Sequence, residues 1–257
     1  MIRDLWEKQQ PLLIAGLVSL LCAIILAIVS LFDSTQILGI NRWIKPIKFF
    51  TSITIFVWTI AIYLNFLRGY EKTARRISWL IIGIFLIEMI IIVIQATRGT
   101  TSHFNHATPL DDMLFSIMGL AIVVNTLTVA YLLYLYFAAE IELPKTIRWG
   151  IRLGMIIFLL GSVEGGYMST QIGHSVGVTD GGKGLPFVNW STEGGDLRIA
   201  HFMGLHAIQA IPFAAWLLES FKLRSAMALI FLFAFSYLAL FSFLFVQALN
   251  GQPFLRF

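Results

Sequence analysis

Apolar residues run along this chain in long, nearly unbroken stretches separated by short polar connections. Seven of them are long enough for a helix to cross the hydrocarbon core of a bilayer: 12–32, 47–67, 77–97, 113–138, 153–170, 199–218 and 225–249. The first, third, fourth and seventh are almost free of charge. Glu164 and glycines interrupt the fifth, and His201, His206 and Pro212 interrupt the sixth, so a six-span alternative makes one of these re-entrant. The pattern predicts an all-α fold, a polytopic bundle of seven transmembrane helices forming one integral membrane domain over residues 1–257. No repeat of fixed period, low-complexity tract or linker divides it.

Composition agrees. The chain is 58% hydrophobic and 12% charged, with a mean hydropathy of +0.83, whereas soluble domains run near 45–50% apolar and about 25% charged. That excludes a water-soluble globule, a disordered chain, a secreted disulfide scaffold and a DNA-binding module. Cys22 is the single cysteine and lies inside the first apolar run, so no disulfide or CxxC site is available. The net charge of +4 reads as membrane topology and headgroup contact, with the lipid bilayer and not nucleic acid as partner. Eleven of the eighteen lysines and arginines fall at the N-terminus and in the loops after spans two, four and six. The other seven are Arg42, Lys45, Lys48, Arg98, Lys183, Arg198 and Arg256. The positive-inside rule then puts the N-terminus in the cytoplasm and the C-terminus outside. Residues 1–10 contain Asp4 and Glu7 and no signal-peptide cleavage pattern, so the first span is expected to stay, in a bacterial inner membrane.

On this topology the outer connections are the rich ones. Loops 98–112 and 171–197 are expected to cover an outer pocket, and the second contains seven glycines and a Leu185-Pro186-Phe187-Val188-Asn189-Trp190 core that suits a folded lid. All five histidines, His103, His106, His174, His201 and His206, lie in this outer half.

Charged groups at membrane depth are costly and mark function by default. Glu88 is followed by Gln95 and Glu164 by Gln171, each two helical turns later on the same face. In the sixth span Arg198, His201, Gln209 and Pro212 fall within about 80° of one another, forming one polar face. Asp196 and Asp112 read as N-caps of the sixth and fourth helices. Gly161-Ser-Val-Glu-Gly165 is a GxxxG pattern for close helix packing. Arg42, Lys45, Lys48, Arg98 and Arg198 form either lipid-phosphate contacts or a cationic ring for an amphiphilic or anionic ligand from the outer leaflet.

Three functions compete. In the first, a metal-dependent intramembrane enzyme acts on a lipid-like substrate, with the five histidines as zinc or iron ligands and Glu88 or Glu164 as general base. In the second, Glu88 and Glu164 titrate in a proton-coupled transporter or sensor. In the third, two histidines ligate a haem, or a quinone binds, in a membrane redox protein. No HExxH, GxSxG, P-loop or GxGxxG motif occurs. A seven-span bundle invites comparison with the membrane hydrolases related to alkaline ceramidases and adiponectin receptors. Their HxxxH in the last span has no counterpart here, because His201 and His206 are differently spaced and lie in the penultimate span. No activity is carried over.

Overall fold

A computed structural model describes residues 2–255, so Arg256, counted above with the outer cations, lies outside the described residues. Seven helices carry the structure: α1 (Ile2–Ser30), α2 (Ile44–Asn65), α3 (Glu71–Thr97), α4 (Pro109–Ala138), α5 (Lys145–Thr170), α6 (Leu197–Ser220) and α7 (Ala226–Leu249). Each is long and apolar enough to cross a membrane. The interrupted fifth and sixth spans are full helices of 26 and 24 residues.

Several helices begin before their apolar stretch does. α3 starts at Glu71, α4 at Pro109 and α5 at Lys145, because a hydropathy window registers bilayer-compatible length and not the polar turns that continue the same backbone ladder. α1 is bent at Gln9 (φ −122°, ψ 22°), beside Pro11, whose ring would meet the carbonyl four residues back.

The chain folds as two compact units, Met1–Thr128 and Val129–Phe257. Both repeat one order: helix, short antiparallel ribbon, helix, tight turn, helix. In the first unit α1 leads into the ribbon of β1 (Gln36–Ile37) and β2 (Ile40–Asn41), then α2 and α3. Leu38 and Gly39 both have positive φ, 51° and 78°, as a two-residue hairpin turn matched to strand twist demands. α1 and α2 are joined by side-chain hydrogen bonds to backbone carbonyls: Ser19 to Phe50 (2.8 Å), Thr54 to Gly16 (3.2 Å) and Trp58 to Leu13 (3.2 Å). Each satisfies a buried polar group that lipid could not.

In the second unit α5 leads into the ribbon of β3 (Ser175–Val176) and β4 (Gly195–Asp196), then α6 and α7. α5 meets α6 along Gly150, Gly154, Gly161 and Gly165. A Cβ added at Gly161 would lie 2.8 Å from the Gly204 backbone, and one at Gly154 would lie 2.8 Å from the Ala207 carbonyl oxygen. The GxxxG pair is thus half of a longer small-residue seam that lets two backbones approach. α7 closes the unit through Ile230 and Ala234 against Ala207 and Ile211, and Tyr237 donates to the Met203 carbonyl at 2.8 Å.

Candidate functional site

The two buried glutamates singled out by the sequence each mark a polar centre, one in each unit. In the second unit the centre sits on the α5–α6 seam. Glu164 is 4% exposed, and its Oε2 lies 3.0 Å from His201 Nδ1, which is also 2.9 Å from the Gly161 carbonyl oxygen. A carbonyl only accepts, so Nδ1 carries a hydrogen and Nε2 is left as the basic nitrogen of the ring. Gly165 makes the pairing possible, since a Cβ there would stand 2.5 Å from the imidazole Cε1. The second glutamate oxygen, Oε1, is buried and hydrogen-bonds to no described residue. The result is an imidazole fixed by a buried carboxylate, the arrangement that orients a histidine for taking and giving protons.

The expected partners of this centre lie elsewhere. His206 turns Nδ1 to the Phe202 carbonyl at 2.8 Å and stacks on that ring. Gln171 is exposed at the α5 C-terminus and donates to the Tyr167 hydroxyl. Gln171 is the C-cap of α5, its backbone N–H still bonded to the Tyr167 carbonyl. Gln209 lies half-buried on α6.

The 171–197 loop is folded, as its apolar core predicts. The Leu185 N–H donates to the Trp190 carbonyl (2.8 Å), and Trp190 packs on Phe202 and Phe254. Asp196 is an N-cap, accepting from Arg198 N–H at 3.1 Å, and it does far more than cap. Its oxygens also receive the Arg198 guanidinium (2.9 and 2.6 Å) and the Ser191 N–H (2.8 Å). Burial pushes this carboxyl up, but Arg198, His174 and Ser191 outweigh it and hold it below its ordinary value. His174 Nδ1 stands 3.2 Å from Asp180 and from the Ser175 hydroxyl.

In the first unit Glu88 is 1% exposed on α3, with Lys45 as a cation in electrostatic reach. Lys45 Nζ donates to His103 Nδ1 at 3.2 Å and lies over the Phe49 ring. Phe49 and Phe115 pack about the imidazole with centroids at 5.5 and 6.2 Å. Lys48 is half-buried one turn further along α2.

Gln95 belongs to a second network that sequence reasoning missed. Asp111, 3% exposed, accepts from Gln95 (2.8 Å), Arg98 (2.5 Å) and the Thr108 hydroxyl (2.6 Å). The Asp111 N–H in turn donates to Thr108 Oγ1 at 3.2 Å, a reciprocal cap at the start of α4. Asp112, expected to be that cap, instead pairs with His106 at 2.5 Å in the open. The available signal was Thr108 followed by Pro109, a capping residue ahead of a first-turn proline. Asp111→Ala is expected to lower the unfolding temperature, because Gln95, Arg98 and Thr108 lose one shared acceptor together. Thermal unfolding in detergent checks this, with Asp112→Ala expected to stay within about 0.5 kcal/mol of the parent.

Three cations of the expected ring have acidic partners within the protein. Arg42 pairs with Asp33 at 2.6 Å and reaches the Thr97 carbonyl, Arg98 pairs with Asp111, and Arg198 pairs with Asp196. Asp33 also accepts from the Thr35 N–H and from Trp43, and these contacts with Arg42 hold its carboxyl well below the usual range. The histidine cluster expected to bind metal is not found: among the described residues no group of three or more His, Cys, Asp or Glu is placed to hold an ion. Each Nδ1 is held by a different partner, Lys45, Asp112, Asp180, Glu164 or the Phe202 carbonyl, and no three candidate ligands converge. Comparison with known proteins adds no constraint: no family model, curated protein or solved structure matches the chain.

Proposed function

We propose that this chain is an integral membrane protein of a bacterial inner membrane that couples its activity to protons, as a transporter or sensor. The proton-exchanging site is Glu164–His201. The orientation with a cytoplasmic N-terminus is supported by the excess of lysine and arginine on that side.

The observation that carries this reading is a carboxylate 4% exposed, bound to a histidine Nδ1 across two helices at 3.0 Å. Histidine changes charge near neutral pH, and a fixed carboxylate stabilises the imidazolium that forms. Buried acids paired with histidine inside a span are the usual parts of a proton relay. Glu88 with Lys45 is the corresponding carboxylate and cation of the first unit.

The test uses vesicles holding the purified protein and a trapped pH-sensitive dye, under a potassium diffusion potential. Proton flux is expected to fall to that of protein-free vesicles in Glu164→Gln and in His201→Ala, and to persist in Glu193→Gln. A sensor would conduct nothing, but Glu164→Gln would displace its His201 Nδ1 signal in nitrogen magnetic resonance. Flux indifferent to both substitutions, or no flux and a His201 Nδ1 signal that Glu164→Gln does not move, overturns the reading.

A further inference from the structure

The first two turns of α3 carry an arrangement that helix physics alone disfavours. Lys72, Arg75 and Arg76 are all exposed there, at the positive end of the helix dipole, where a cation is unfavourable. They are also spaced i, i+3 and i+4, so their like charges repel. The one carboxylate in the first turn, Glu71, is turned back to the Gly69 N–H at 2.9 Å. With Trp79 these three cations line an open cleft of about 430 Å³.

What lies beyond the cleft on the same face gives it meaning. Residues 72, 76, 79, 83, 86 and 90 share one side of the helix. Trp79, Leu86 and Ile90 are 59%, 60% and 49% exposed, and a Cβ at Gly83 would meet nothing within 4 Å. A cationic head thus passes through an interfacial tryptophan into an apolar strip with a notch in it. That is the complement of a phospholipid bearing net negative charge: phosphate against three cations, glycerol backbone beside the indole, acyl chain along the strip.

We propose that α3 binds an anionic phospholipid, its headgroup held by Lys72, Arg75 and Arg76 and its chain laid over Trp79, Gly83 and Leu86. The site rests on the reading of these helices as membrane spans, and not on their orientation or on the proton site. Its ligand relieves a local repulsion, so it also stabilises the start of α3.

The test is fluorescence quenching in vesicles of phosphatidylglycerol and phosphatidylcholine at fixed composition, with bromine on the chains of one lipid or the other. The Trp79 signal is the parent spectrum minus that of Trp79→Phe. Phosphatidylglycerol is expected to be enriched beside Trp79 by on the order of fivefold, the effect of one lysine or arginine near lipid phosphate. The triple substitution Lys72→Gln, Arg75→Gln, Arg76→Gln is expected to abolish that preference. Equal quenching by both lipids in the parent, or a preference surviving the triple substitution, overturns the proposal. So does displacement of brominated phosphatidylglycerol by inorganic phosphate, which would assign the cations to a free anion. Vesicle flotation separates the two levels: a chain that does not float with lipid refutes the membrane reading itself.

Discussion

Asp196→Ala is expected to loosen the 171–197 loop at neutral pH and to cost about 3–5 kcal/mol, the range for removing one partner of a buried ion pair. The carboxylate is 0% exposed and gathers the Arg198 guanidinium, the Arg198 N–H and the Ser191 N–H. Arg198 also donates to the Asn189 carbonyl, so one side chain ties the 189–191 segment to the first turn of α6. Without it a guanidinium and two backbone donors lose their acceptor together. Trp190 reports the loss, since its packing on Phe202 and Phe254 depends on that segment; a rise in its accessibility to a soluble quencher is the expected result. The pH dependence has a fixed sign. A carboxyl held below its ordinary value of 3.8 stabilises the fold fully above that value, and the contribution is lost as pH falls through the lower folded value. The parent loop should therefore release Trp190 only in acid below pH 3.8, while Asp196→Asn should be loosened already at pH 7 and lose little more on acidification. A parent and an alanine variant with equally protected Trp190 at pH 7 would refute the assignment.

The seven helices were legible because bilayer-length apolar runs are a strong signal that needs no tertiary information. Burial of Glu88 and Glu164 was legible for the same reason: each sits well inside such a run, and they are 1% and 4% exposed. Partners were not. Arg42 finds Asp33 only because the β1–β2 ribbon folds the chain back, and nothing in local spacing fixes that turn. Asp111 was passed over for Asp112, which lies nearer the apolar run, although the helix begins further back, at Pro109. Gln171 sits two turns beyond Glu164 as the α5 C-cap, but spacing does not reveal that its amide bonds to the Tyr167 hydroxyl. The histidines were grouped by the sidedness of their loops, yet among the described residues no three candidate ligands converge, because sidedness says nothing about where ring nitrogens point.

The repeated order of helix, ribbon, helix, turn and helix in the two units escaped sequence comparison for a related reason. What the units share is topology, and their seams differ in chemistry. The first is held by Ser19, Thr54 and Trp58 reaching backbone carbonyls, the second by glycines in direct backbone contact. In each unit the helix after the ribbon supplies the cation or imidazole of the polar centre. Lys45 lies in the first turn of α2, and His201 lies in the second turn of α6.

That difference sets the second large effect. Gly161→Leu is expected to separate α5 from α6 and cost roughly 3 kcal/mol or more, at the upper end of overpacking. The obstacle is backbone on both sides: a Cβ at Gly161 lies 2.8 Å from Gly204 Cα, and one at Gly204 lies 2.6 Å from Gly161 Cα. No rotamer change relieves such a clash, so one helix must move. Gly161→Ala should already be destabilising for that reason, whereas Gly166→Ala, where a Cβ meets nothing within 4 Å, should be neutral or slightly stabilising through helix propensity. The consequence reaches the proton site, because the Gly161 carbonyl and Glu164 both hold His201 Nδ1. Gly161→Leu should thus displace the His201 Nδ1 resonance as Glu164→Gln does while leaving Glu164 in place, and thermal unfolding with histidine nitrogen resonances on the same sample reads both effects. Retained stability together with an unmoved Nδ1 resonance would mean that the α5–α6 contact neither supports the fold nor positions the histidine.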